Sequence, residues 1–187
     1  MRLSRVGSLT TGPRTGIWYR AMRLRHWKTR LSTDHSRTTP SRFSNASVAN
    51  PSHRMLYLGE NHQVVLYEVE ALYGPMTAVV SNPAGSWILM SLEVSLNIIV
   101  NLTMPAEQNI IKTSNQELTG VWNSSANAAP TQRLGEALYG LPGIEGALFP
   151  SSKPGGGSNL VIFPDKLEIG SNIRFYNELI AKSESIR

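Results

Sequence analysis

The run from Trp87 to Met104, WILMSLEVSLNIIVNLTM, constrains the fold more than any other segment. It is the most apolar stretch of the chain, yet Ser91, Glu93, Ser95, Asn97 and Asn101 interrupt it. A helix that crosses a bilayer needs about 20 mostly apolar residues. No membrane span is therefore expected. The pattern instead predicts two buried strands, WILMSLEV and LNIIVNL.

The remaining segments supply further strands and a few helices. IWYRA (17–21) and MLYLG (55–59) read as strands, and others are expected near 77–80, 145–149, 159–164 and 172–176. Residues 61–73 read as a helix with Asn61 as N-cap, and 131–139 as a second, ending at Gly140. Residues 1–14 read as a frayed basic start, 28–54 as a long polar loop, 105–130 as a mixed polar stretch, and the tail as a polar helix. Clustered strands with few helices predict an α+β fold. At 187 residues the chain suits a single domain with a full core. The expected division is a basic N-terminal extension over 1–16 and a folded domain over 17–187.

Composition excludes several classes of function. There is no cysteine, so neither a disulfide scaffold nor a thiolate metal site exists, and a reducing, cytoplasmic setting is expected. His26, His35, His53 and His62 do not form HExxH or another close paired-ligand spacing, so no metal site is expected. The charge is uneven: residues 1–42 hold ten Lys/Arg against Asp34 alone, giving +9, while the rest of the chain carries −4. Such a basic segment suits nucleic acid, a phosphate-bearing small molecule or a targeting peptide. No helix-turn-helix, zinc-finger or RNP signature accompanies it, and no direct nucleic-acid partner is expected.

Three segments carry residues suited to chemistry. Helical spacing sets Glu68 beside Val64, Val65 and Leu72, where a carboxylate is costly unless paired or functional. Arg20 lies within the strand IWYRA, where a half-buried guanidinium suits an anion. The stretch LFPSSKPGGGSNLVIFPD (148–165) places two serines and three glycines between two strands. It is neither a Walker A loop nor a dinucleotide GxGxxG, because a strand follows it. Glycines there permit close backbone approach, and a serine hydroxyl can donate to a ligand. Tyr57, Arg42 and Asn159 are further candidates.

Taken in order, WYRA, SRF, MLYLGENHQVVLYEV and FPSSKPGGGSNLVIFPD resemble the RES-domain family over about residues 17–166. The resemblance matches Arg20, Glu68 and a serine to the arginine, glutamate and serine that give the family its name. Ser151, directly after Pro150, matches better than Ser152, although both remain open. Tyr57 matches a tyrosine before the glutamate helix. Arg42 matches an arginine usually preceded by glycine, where this chain has Ser41.

The resemblance implies a split, strand-rich core like that of ADP-ribosyltransferase toxins, with a cleft for NAD. It implies a toxin whose partner is an Xre-type helix-turn-helix antitoxin, held in a hetero-oligomer. The implied chemistry is cleavage of the nicotinamide–ribose bond of NAD as substrate, by hydrolysis or with inorganic phosphate as co-substrate, without a prosthetic group. Catalytic roles then fall to Glu68, Arg20 and Ser151, and NAD binding to Arg20, Arg42, Tyr57, Ser151 and Asn159. The alternatives are ADP-ribosylation of a protein target and a basic nucleic-acid-binding protein without catalysis.

Overall fold

A computed structural model of the chain describes residues 1–123, 127–177 and 181–186. The fold is α+β. Among the described residues nine strands follow in chain order: β1 (Thr11–Arg23), β2 (Leu56–Gly59), β3 (Leu72–Tyr73), β4 (Val80–Ser81), β5 (Trp87–Asn101), β6 (Gly146–Pro150), β7 (Ser158–Ile162), β8 (Asn172–Asn177) and β9 (Lys182–Ile186). The α-helices are α1 (His62–Glu68), α2 (Pro105–Ile110), α3 (Asn115–Thr119) and α4 (Pro130–Gly140).

Seven strands form one sheet in the order β1-β2-β7-β6-β5-β8-β9. Strand β1 also pairs antiparallel with β5 from Thr11↔Val100 to Arg23↔Trp87. Strands β1, β2, β7, β6 and β5 thereby close on themselves, and β8–β9 branches from the outer edge of β5. Inside the closed sheet lie Trp18, Leu58, Met90, Leu92, Leu96, Leu160 and Ile162. On the other side of β6 and β7, the helices pack Leu118, Leu134 and Leu138 against Phe149, Val161 and Phe163. These two strands are covered on both faces, which is why they read as continuous apolar runs.

The apolar run of 87–101 is one strand and not two. Met90, Leu92, Val94 and Leu96 keep to the buried face at every second residue, while Ser91 and Glu93 face outward. Two-residue periodicity carries through Ser95 without a turn residue. The start of the chain also differs from expectation. Leu3–Ser8 forms a 3-10 helix, Val6 and Leu9 are buried, and β1 begins at Thr11 because β5 offers it a partner as far as Val100. The first sixteen residues therefore contribute both core and sheet.

The tail, expected as a helix, forms β9 against β8 and buries Ile186. Residues 178–180 and 187 of that expectation lie outside the described ones. The first helix ends at Glu68, short of the expected Tyr73, and Leu72–Tyr73 pairs instead with Val80–Ser81. The long loop after β1 is partly ordered as 3-10 turns at Leu24–Thr29 and Asp34–Arg37.

Much of the N-terminal basic charge is built into the fold. Arg14, Arg23 and Arg30 lie over the rings of Trp18, Trp87 and Trp27 respectively. Arg23 also donates to the Ala84 carbonyl, and Arg30 pairs with Glu184. These contacts combine cation–π attraction with hydrogen bonding. Among the described residues, no helix is long and apolar enough to cross a membrane.

Behind the sheet, His53 stacks on Tyr139 with ring centroids 3.7 Å apart and meets Phe163 edge-on. Its Nδ1 lies 3.0 Å from the Ser52 hydroxyl and 3.5 Å from the Glu136 carboxylate, while its buried Nε2 has no partner among the described residues. Burial lowers the His53 pKa from 6.5, against the opposing pull of Glu136 and Asp165. A histidine held neutral in the fold and free to charge when unfolded stabilises the fold above its unfolded pKa, and that contribution falls as pH drops below about 6.5. Melting curves at pH 7.5 and 5.5 should show a larger loss of Tm for wild type than for His53→Phe. Equal losses would contradict this account.

Candidate active site

The cleft arises where β1 and β2 part. They share one pair, Tyr19↔Gly59, and then diverge. Arg20 and Ala21 form one lip, and Tyr57, Leu58 and Gly59 form the other. The resulting cavity of about 560 Å³ is also lined by Glu68, Arg42, Trp122, Lys153 and Asn159. That volume is within the usual range for a small-molecule site.

Helix α1 delivers Glu68. Asn61 caps its start by accepting from the Val64 amide at 3.0 Å. The helix packs tightly on β2 at Gly59, where a Cβ would come within 2.5 Å of Val65 Cγ1. At its end, the Ala71 amide donates to the Leu66 carbonyl at 2.8 Å and the Glu70 amide to the Tyr67 carbonyl at 3.1 Å. This is a Schellman termination with Glu70 in the left-handed conformation, φ 59°. Glycine is the usual occupant, and an L-residue there costs about 1–2 kcal/mol. Glu70→Gly should raise Tm by roughly 2–4 °C in a thermal melt. A lower Tm would show that the Glu70 side chain contributes more than its backbone costs.

The loop after β6 and the start of β7 supply the donors to Glu68. The Ser151 hydroxyl donates to Glu68 Oε1 at 3.0 Å, and Asn159 Nδ2, on β7, donates to the same oxygen at 2.7 Å. Glu68 Oε2 has no protein hydrogen bond among the described residues. The loop folds back on itself: the Ser151 amide donates to the Gly157 carbonyl at 2.9 Å, and the Lys153 amide to the Ser151 hydroxyl at 3.2 Å. Gly157, at φ 92°, lies so close to α1 that a Cβ would meet Val64 Cγ2 at 2.9 Å. The length and glycine content of this loop thus bring a serine onto the helix carboxylate, which a two-residue turn would not do. Of the two adjacent serines, Ser151 meets Glu68, while the exposed Ser152 takes a hydrogen bond from Arg42 at 3.3 Å.

Two guanidinium groups face the cleft. Arg20 donates to the Arg30 carbonyl at 2.9 Å and reaches that of Ser32 at 3.5 Å. It has no carboxylate partner among the described residues, and burial lowers its pKa to about 10. It remains charged at neutral pH. Arg42 donates to the carbonyls of Leu118 at 3.2 Å and Gly120 at 2.5 Å. Burial lowers its pKa, and the charge of Glu68 opposes that shift.

Tyr57 also lines the cleft, but its hydroxyl is already engaged. It shares a 2.5 Å hydrogen bond with Ser41 and contacts Met55 Sδ at 3.3 Å. Burial, with Ser41 opposing, pushes its pKa up to about 12. His35, Ser41, Trp122, Asn123 and Lys153 complete the wall and were not singled out in the sequence. They come from polar loops whose local pattern carries no signal. The described residues contain no cluster of three or more His, Asp or Glu able to hold a metal ion.

The sequence matches the model of the RES domain family over residues 17–176. The chain belongs to the RES domain family. A solved structure similar to this RES domain is a chain of the M. tuberculosis MbcT–MbcA toxin–antitoxin complex. The TM-score is 0.69 at 18% sequence identity, and the match covers 98% of this chain and 90% of that one. At that identity the likeness shows the fold. No curated protein sequence matches the chain.

Proposed function

We propose that this RES domain is the toxin of a bacterial toxin–antitoxin pair and depletes NAD by cleaving the nicotinamide–ribose bond. One observation carries the reading: Glu68 stands in the cleft with Ser151 and Asn159 both donating to Oε1, which leaves Oε2 for a substrate. A carboxylate fixed in this way suits a ribose that becomes an oxocarbenium-like cation. The electron pair of the breaking C–N bond passes to the pyridinium nitrogen, and nicotinamide leaves neutral. No general acid is needed at the leaving group, so one carboxylate suffices where glycosidases use two. The new C–O bond forms to water or inorganic phosphate, whose proton passes to solvent.

Arg20 supports the assignment of a pyrophosphate-bearing substrate. A desolvated guanidinium satisfied only by carbonyls gains most from an anion. Arg42 and Lys153 add positive charge at the same cleft. An antitoxin that covers this opening, of the Xre helix-turn-helix kind, would silence the enzyme. The fold relation to a toxin–antitoxin complex supports an antitoxin partner. Induced expression in a bacterial host without a partner is the test in cells. NAD should fall before growth stops, whereas arrested growth at constant NAD would overturn the proposal.

A further inference from the structure

The cleft needs a surface for the flat rings of a dinucleotide, and the aromatic side chains near it differ in how freely they can offer one. Tyr57 is held by Ser41 and Met55, and its ring packs against the helix-side core. Phe43 is 2% exposed and stacks on Phe149 at 3.7 Å. Tyr19 turns edge-on to His62. Trp122, like Tyr57, is half-buried and lines the cleft, but no hydrogen bond among the described residues holds its ring. Its backbone is tethered from within the same site, because Arg42 donates to the carbonyls of Leu118 and Gly120 just before it.

We propose that Trp122 is the stacking platform for an aromatic ring of the dinucleotide, adenine or nicotinamide; this rests on the NAD reading above. A large flat ring on a segment tethered by Arg42 recognises a heterocycle by its face, at little cost in side-chain entropy. Arg42 then has two tasks, adding charge to the cleft and holding the tryptophan segment in place. Trp122 binds substrate and takes no part in bond breaking, so its loss raises KM and leaves kcat near wild type.

The experiment uses the full chain. ADP-ribose and nicotinamide are titrated into wild type, and NAD into Glu68→Gln, each with Trp122, Trp122→Phe or Trp122→Ala. Tryptophan fluorescence and calorimetry are the readouts. Trp122→Phe should keep affinity within about threefold while losing most of the ligand-dependent quench, and Trp122→Ala should weaken NAD binding about 10- to 100-fold. Weakening confined to ADP-ribose identifies adenine as the stacked ring, and weakening confined to nicotinamide identifies the other. NAD binding by Trp122→Ala within twofold of its parent overturns the role of Trp122 alone. Absence of NAD binding by the Trp122-containing parent overturns the NAD reading itself, together with this one.

Discussion

Glu68→Gln should lower the turnover of NAD about 1000-fold while the protein still folds and binds its substrate. Glutamine keeps the length of the side chain and an oxygen that can accept from Ser151 and Asn159, which lie 3.0 and 2.7 Å from Oε1. What disappears is the negative charge beside the ribose. Removing one preorganised electrostatic contact of this kind commonly costs 100- to 1000-fold in kcat. The loss should appear in kcat and kcat/KM together, because the charge matters only once the ribose becomes cationic. Expression of the variant should leave bacterial growth intact. A kcat within tenfold of wild type would remove Glu68 from the chemistry.

Glu145→Ala should remove a large part of the fold's stability, although Glu145 lies outside the cleft lining. This carboxylate is fully buried. Its Oε2 accepts from the amides of Asn97 at 2.6 Å and Ile98 at 2.8 Å, and its Oε1 from that of Glu168 at 2.8 Å. The position explains the need. The outer edge of β5 pairs with β8 at residues 93–95 and with β6 at 99–101. Amides 97 and 98 fall between the two partners, and Glu145 fills the gap. The Asn97 amide keeps the Ser171 hydroxyl as a second acceptor at 3.1 Å, whereas the amides of Ile98 and Glu168 lose theirs; at about 1–3 kcal/mol each, alanine should cost roughly 2–6 kcal/mol. Typical domains have only about 5–15 kcal/mol in total. Glu145→Gln keeps one acceptor oxygen and turns an NH₂ toward amide donors, and it should fold with a clearly lower Tm. Urea unfolding measures both, and a midpoint for Glu145→Ala close to wild type would contradict the account.

Glu68 and Glu145 show what the sequence made legible. Glu68 was readable because its neighbours on α1 form an apolar stripe, and because the family pattern around it is local and ordered. Ser151 and Asn159 were readable for the same reason. Their convergence on a single oxygen was not, since it depends on how far the glycine loop folds back toward α1. Glu145 carried no signal. Its task exists only because β5 changes partner, and that is a property of the sheet. Trp122 was likewise silent, as a lone tryptophan in a polar stretch. The single strand of 87–101 could have been read from its alternation over residues 90–96, but its outward-facing polar residues resembled a break, and the phase does slip after Leu96, where Ile99 and Val100 are both buried and the register with β1 shifts. The ordered start of the chain was hidden by its basic charge, of which Arg14 lies over Trp18 while Arg2 and Arg5 stay exposed.

The most direct test of the central claim is to incubate purified protein with NAD, with and without inorganic phosphate, and resolve the products over time. The account predicts release of nicotinamide by wild type and none above background by Glu68→Gln. Free ADP-ribose without phosphate identifies water as the acceptor, and an ADP-ribose phosphate formed only with phosphate identifies phosphorolysis. Intact NAD under both conditions would contradict the account.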